Sequence, residues 1–145
     1  MKSLNQTDQQ KVDQLVDKAY EAYKSGQKDK SFELLKKAYL VFTEPKEFPE
    51  AYTVAKYSFE DYMKEKDYDN AKVWLNNMIE NNNNLHHSDS ECSFAVAKYQ
   101  FKNNEFEEAL KLFKEIVSDA GMRYFENEDS EYKDFYLNPQ KHMKQ

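Results

Sequence analysis

The chain has 145 residues, a formal net charge of −6 and 33% charged residues, with one cysteine, two glycines and three prolines. The single cysteine excludes an internal disulfide framework, and the acidic balance, with Arg123 the sole arginine, argues against nucleic acid as a partner, since that calls for a basic surface. No window approaches the ~20 apolar residues of a membrane span and the first residues lack the apolar core of a signal peptide, so the expected location is the cytoplasm, without membrane contact.

Helix is strongly favoured. Strand-rich chains need Gly, Pro, Asn and Asp turns at short intervals, and this chain lacks them over most of its length. Aromatic residues make up 15% of the sequence, so large rings carry much of the burial that aliphatic side chains would otherwise supply. That content also separates the chain from disordered sequences of similar polarity.

In chain order, helices are expected near 8–25, 28–43, 48–65, 68–81, 89–103 and 105–119, with a shorter one near 129–137 that stops before Pro139. Thr7-x-x-Gln10 and Ser88-x-x-Glu91 have the form of capping boxes, and Asn104-x-x-Glu107 offers a similar helix start. Thr43–Pro49 and the polar tract Asn81-Asn82-Asn83-Asn84, running on into Leu85-His86-His87, read as loops. The 129–137 segment suits a terminal cap, with Phe135 and Leu137 covering an exposed apolar end and Lys133 and Asp134 facing water.

Three stretches repeat. Each consists of a helix, a short polar turn and a second helix opening on a small residue: Ser31, Ala71 and Ala109 hold that position at intervals of 40 and 38 residues. Four residues on stand Leu35, Leu75 and Phe113, and three further Ala38, Met78 and Ile116. This spacing puts the three side chains of each set on one helical face. The turn-and-entry runs Asp67-Tyr68-Asp69-Asn70-Ala71 and Glu105-Phe106-Glu107-Glu108-Ala109, with Gly26 at the turn of the first repeat, resemble the tetratricopeptide repeat family. The match is degenerate: Lys28 replaces the turn aromatic of the first repeat, and Lys66 and Asn104 stand where glycine is expected. The resemblance implies an all-α, right-handed superhelical array of about three helix-turn-helix repeats (about 8–43, 48–81 and 89–119) and a short C-terminal capping helix, forming a single domain over 1–145. The 38–40-residue interval, against the usual 34, implies longer connections.

By the same resemblance, the first helix of each repeat lines a concave face. Register then places Val16, Tyr20, Tyr23 and Lys24, Lys56, Glu60, Met63 and Lys64, and Phe94, Lys98, Phe101 and Lys102 along a partner-binding groove. Rings supply contact area at low entropic cost and lysines steer encounter, which suits a polypeptide that carries carboxylates and apolar anchors. His86, His87 and Cys92 are weak candidates for metal ligands, because a structural zinc site needs about four converging donors. With glycine only at positions 26 and 121, the chain cannot build a phosphate-binding Gly-rich loop, and no catalytic pattern surrounds Cys92. The expected function is therefore non-enzymatic protein binding without a cofactor. Within that class stand an adaptor, a secretion-type chaperone and a bacterial immunity protein that neutralises a toxin; a homodimer is compatible with each, while a metal-responsive sensor or an enzyme is less favoured.

Overall fold

The computed structural model describes residues 2–86 and 90–143. They belong to two compact units, spanning 1–87 and 88–145. The first contains α1 (Gln6–Lys24), α2 (Lys28–Tyr39), α3 (Pro49–Lys64) and α4 (Tyr68–Asn84). The second contains α5 (Ser90–Lys102), α6 (Phe106–Ala120), a 3-10 turn at Arg123–Phe125, α7 (Ser130–Leu137) and α8 (Gln140–Met143). Every regular element among the described residues is helical, as the composition predicts.

The three hairpins close in the same way. Gly26, Lys66 and Asn104 all adopt left-handed backbone, with φ of 85°, 59° and 63°. Their amides donate to Tyr23, Met63 and Phe101 carbonyls, and the next amides reach back to Ala22, Tyr62 and Gln100 at 2.8–3.0 Å. This paired bonding satisfies carbonyls that a helix end otherwise leaves orphaned, and glycine adopts the conformation most readily. A lysine holds it at residue 66 because the two bonds and the packed hairpin offset the steric cost of its Cβ.

The small-residue register governs packing inside each hairpin. Ser31, Ala71 and Ala109 are buried, as are Leu35, Leu75 and Phe113 and the third set, Ala38, Met78 and Ile116. A side chain no larger than serine lets the paired helix approach closely, and Ser31 satisfies its hydroxyl by donating to the Ala19 carbonyl of α1 at 2.7 Å. In the first unit, Phe32 of α2 stacks on Tyr62 of α3, centroids 3.8 Å apart and planes within 7°. Trp74 meets Tyr39 edge to face at 5.0 Å. In the second, Phe94, Phe101, Phe113, Phe125, Tyr132 and Phe135 make one buried cluster.

Several local expectations need correction. Asn81–Asn84 belongs to α4 rather than to a loop. Asn81 is fully buried, donating from Nδ2 to the Tyr39 hydroxyl at 2.9 Å and to the Asn77 carbonyl at 2.7 Å. Asn84 donates to the Lys46 carbonyl at 3.1 Å. These bonds outweigh the poor helix propensity of asparagine. The cap of α1 is Asn5, whose side chain accepts from the Asp8 amide at 2.8 Å; Thr7 lies inside the helix. α6 starts after Glu105 without a side-chain cap, because Asn104 is committed to the preceding left-handed turn. α2 ends at Tyr39, short of residue 43. The connection that follows is tightly held: Phe42, Lys46 and Phe48 are buried and the Lys46 ammonium donates to the Phe42 carbonyl at 3.1 Å. In the C-terminal cap, Phe135 is buried but Leu137 is exposed, and Tyr132 takes the inward place. The capping box at Ser88 lies outside the described residues.

Candidate partner-binding cleft

Within the first unit, a cleft of about 610 Å³ opens between α1 and α3, floored by Ser31 and Leu35 of α2. Val16, Asp17 and Tyr20 come from α1, and Lys56, Tyr57, Glu60, Asp61 and Lys64 from α3. Helical spacing explains the α3 wall, since residues 56, 57, 60, 61 and 64 recur at three- and four-residue steps on one face. Of the expected groove residues, Val16, Tyr20, Lys56, Glu60 and Lys64 therefore share one cavity.

Two rings at this cleft are unusual in an aromatic-rich chain whose other rings are all buried or half-buried. Tyr20 is 63% exposed and Tyr57 46% exposed. Exposed rings on a concave surface are what a partner covers. The Lys24 ammonium sits 4.9 Å from the centre of the Tyr20 ring, so a cation already lies on that face.

Asp61 has a second distinctive property. Burial pushes its carboxyl from the ordinary 3.8 up to about 6; Lys64 opposes that rise, and Glu60 and Glu65 add to it. The cleft thus holds a carboxyl that changes charge in mildly acidic solution. Asp61 and Tyr57 were not among the expected groove residues, because register alone named one helical row and they stand one position beside it.

Tyr23, Lys24 and Met63 do not line the cleft. Tyr23 donates its hydroxyl to the Glu65 carboxylate at 2.7 Å, which also accepts from Lys28 at 3.0 Å. Burial, first, and the Glu65 carboxylate raise the Tyr23 hydroxyl far above its usual value. Met63 is half-buried.

The second unit treats the same register differently. Phe94, Lys98 and Phe101 are buried rather than open. The chain after α6 covers them: Phe94 packs on Tyr124 and Phe125, and Phe101 on Tyr132 and Phe135. Glu128 accepts from Lys98 at 3.1 Å, and Lys102 pairs with Glu131. The expected third-repeat groove face is therefore covered in the described structure, because the C-terminal segment supplies both the carboxylates and the rings that complement it.

His86 ends α4 in a left-handed turn, Cys92 is buried in α5, and His87 lies outside the described residues. Among the described residues no group of three or more His, Cys, Asp or Glu could hold a metal ion. No helix among them is long and apolar enough to cross a membrane.

The family model of the soluble NSF attachment proteins, SNAP, matches residues 2–138. The chain belongs to the SNAP family. No curated protein and no solved structure matches it. SNAP proteins are helical-repeat, non-enzymatic adaptors that bind other proteins. The resemblance to tetratricopeptide repeats thus carries over as a helical-repeat fold, and the family assignment is SNAP.

Proposed function

We propose that this SNAP-family chain holds a partner polypeptide in the cleft between α1 and α3 and has no catalytic activity of its own. The observation that carries this reading is the pair of exposed rings, Tyr20 and Tyr57, on opposite walls of an open cavity. Such rings cost little conformational entropy when a partner orders them, and Lys56, Lys64, Asp17 and Glu60 around them offer charge for register. The family description, attachment to NSF, is that of a protein whose work is to bind another protein, which supports the same class here. Nothing among the described residues favours toxin neutralisation or a secretion-type chaperone role over this reading.

The test is affinity capture from the native cell with the wild-type chain and with a Tyr20→Ala/Tyr57→Ala/Lys56→Glu variant, followed by identification of the bound protein. The variant is expected to lose the partner with its helical circular dichroism intact. Equal capture by both proteins rejects the cleft as the contact surface.

A further inference from the structure

The five lysines that register assigned to one groove are divided in the folded chain. Lys98 and Lys102 pair with Glu128 and Glu131, and Lys24 lies outside the lining of the cleft between α1 and α3. That cleft is left with Lys56 and Lys64 against three carboxylates, Asp17, Glu60 and Asp61. Lys56, Glu60 and Lys64 alternate in sign at four-residue steps along α3, a spacing at which opposite charges offset one another. The surplus in the cleft is therefore acidic. The Asp61 charge is also poorly met: burial and the neighbouring Glu60 and Glu65 work against it, and Lys64 offsets them only in part. A cation brought from outside would stabilise it.

The rings of the cleft accept such a guest. The Lys24 ammonium, one helical turn on from Tyr20, already stands 4.9 Å from the centre of that ring. Lys24 is exposed, so a cation with further contacts can replace it there. A guanidinium suits this set better than an ammonium, because its flat face stacks on a ring while its N–H fork donates to a carboxylate.

We propose that the cleft between α1 and α3 receives an arginine side chain of the partner polypeptide, its guanidinium against the Tyr20 and Tyr57 rings and its N–H groups donating to the Asp61 carboxylate. The proposal rests on the cleft reading above and names the side chain the cleft recognises. The chain's net charge of −6 favours the approach of a basic segment. Around Asp61 stand Asp17 and Tyr20 from α1 and Lys56, Tyr57, Glu60 and Lys64 from α3, while α2 adds only the uncharged Ser31 and Leu35 to the lining. Beyond the cleft is Glu65, which accepts from Tyr23 and Lys28. Protonation of Asp61 removes the acceptor, so capture weakens as pH falls through about 6.

The probe is a peptide with blocked, uncharged ends that carries one arginine between two leucines, titrated onto the isotope-labelled full-length protein and followed by nuclear magnetic resonance. Saturable shifts are expected at Tyr20, Tyr57 and Asp61. Replacing the arginine by citrulline, which keeps the shape and loses the charge, should weaken binding about tenfold or more, and Asp61→Asn should do the same at pH 7.5. Near pH 5 the parent and Asp61→Asn proteins should bind alike. Lys24→Ala should tighten binding, because it clears the Tyr20 ring; a merely structural Tyr20 would show no such gain. Thermal melting confirms that each variant is folded. Absence of saturable shifts up to about 10 mM peptide, or equal binding of the citrulline or a lysine peptide, overturns the proposal. If the arginine peptide fails while the Tyr20/Tyr57/Lys56 variant still loses its cellular partner, the cleft reading stands and only the recognised side chain is wrong.

Discussion

Asp61 gives the sharpest test of how the cleft is built. Its carboxyl titrates at about 6 in the folded chain against an ordinary 3.8, chiefly because burial disfavours its charge. Between these values the folded chain holds a proton that the unfolded chain has released, so this group's contribution to stability falls as pH rises from about 4 to about 6 and is level above. A displacement of this size corresponds to about 3 kcal/mol at full burial; Asp61 is only half-buried on the cleft wall, and solvent screening reduces that to about 1–2 kcal/mol. Asp61→Asn removes the charge and keeps the shape. The variant should therefore be more stable than the parent by about 1–2 kcal/mol near pH 7.5 and nearly equal to it near pH 4. Urea unfolding followed by far-ultraviolet circular dichroism at several pH values measures both. Other carboxylates titrate in the same range, but they are common to both proteins and cancel in the difference. A gap between the two proteins that stays constant with pH would refute the reasoning. If the gap behaves as expected, the parent chain retains a destabilising carboxylate at its cleft, the usual mark of a residue kept for binding rather than for folding.

Other substitutions test the packing. Lys66→Gly should raise stability by about 1 kcal/mol and the melting temperature by about 2–4 °C, because glycine accepts the left-handed backbone at no steric cost; Gly26→Ala should act with the opposite sign in the same melt. Ala71→Leu adds volume at a fully buried contact and should cost about 1–3 kcal/mol in chemical denaturation. Phe135→Ala empties the centre of the ring cluster on Phe101, Phe106 and Phe113 and should cost about 3–5 kcal/mol, with hydrogen exchange rising first along α7.

The helical hairpins were legible because their information is local. Ser31, Ala71 and Ala109, with the residues four and seven positions on, mark a buried face by spacing alone, and Gly26 points to a left-handed turn that Lys66 and Asn104 then repeat. The rest depends on contacts between residues far apart in the chain. Asn81 and Asn84 look like loop residues until Tyr39 and the Lys46 carbonyl, about forty residues earlier, are seen to bond them. Thr7 has the spacing of a capping box, yet the extended backbone of Asn5 and its bond from the Asp8 amide start the helix earlier. For the cleft, register found Val16, Tyr20, Lys56, Glu60 and Lys64 but missed Asp17, Tyr57 and Asp61, since a single helical row understates the width of a wall. It also opened a face on α5 that Glu128 and Glu131 close; acids in an acidic chain give no local sign of which lysines they will meet.

The contact between Trp74 and Tyr39 also has a practical consequence. Trp74 is the chain's only indole and lies in the segment 1–87, nearly enclosed, while residues 88–145 contain tyrosine and phenylalanine alone. Selective excitation of that chromophore therefore follows the melting of the N-terminal half by itself. Ellipticity follows both halves, so comparing the two signals reveals whether they come apart together without attaching any dye.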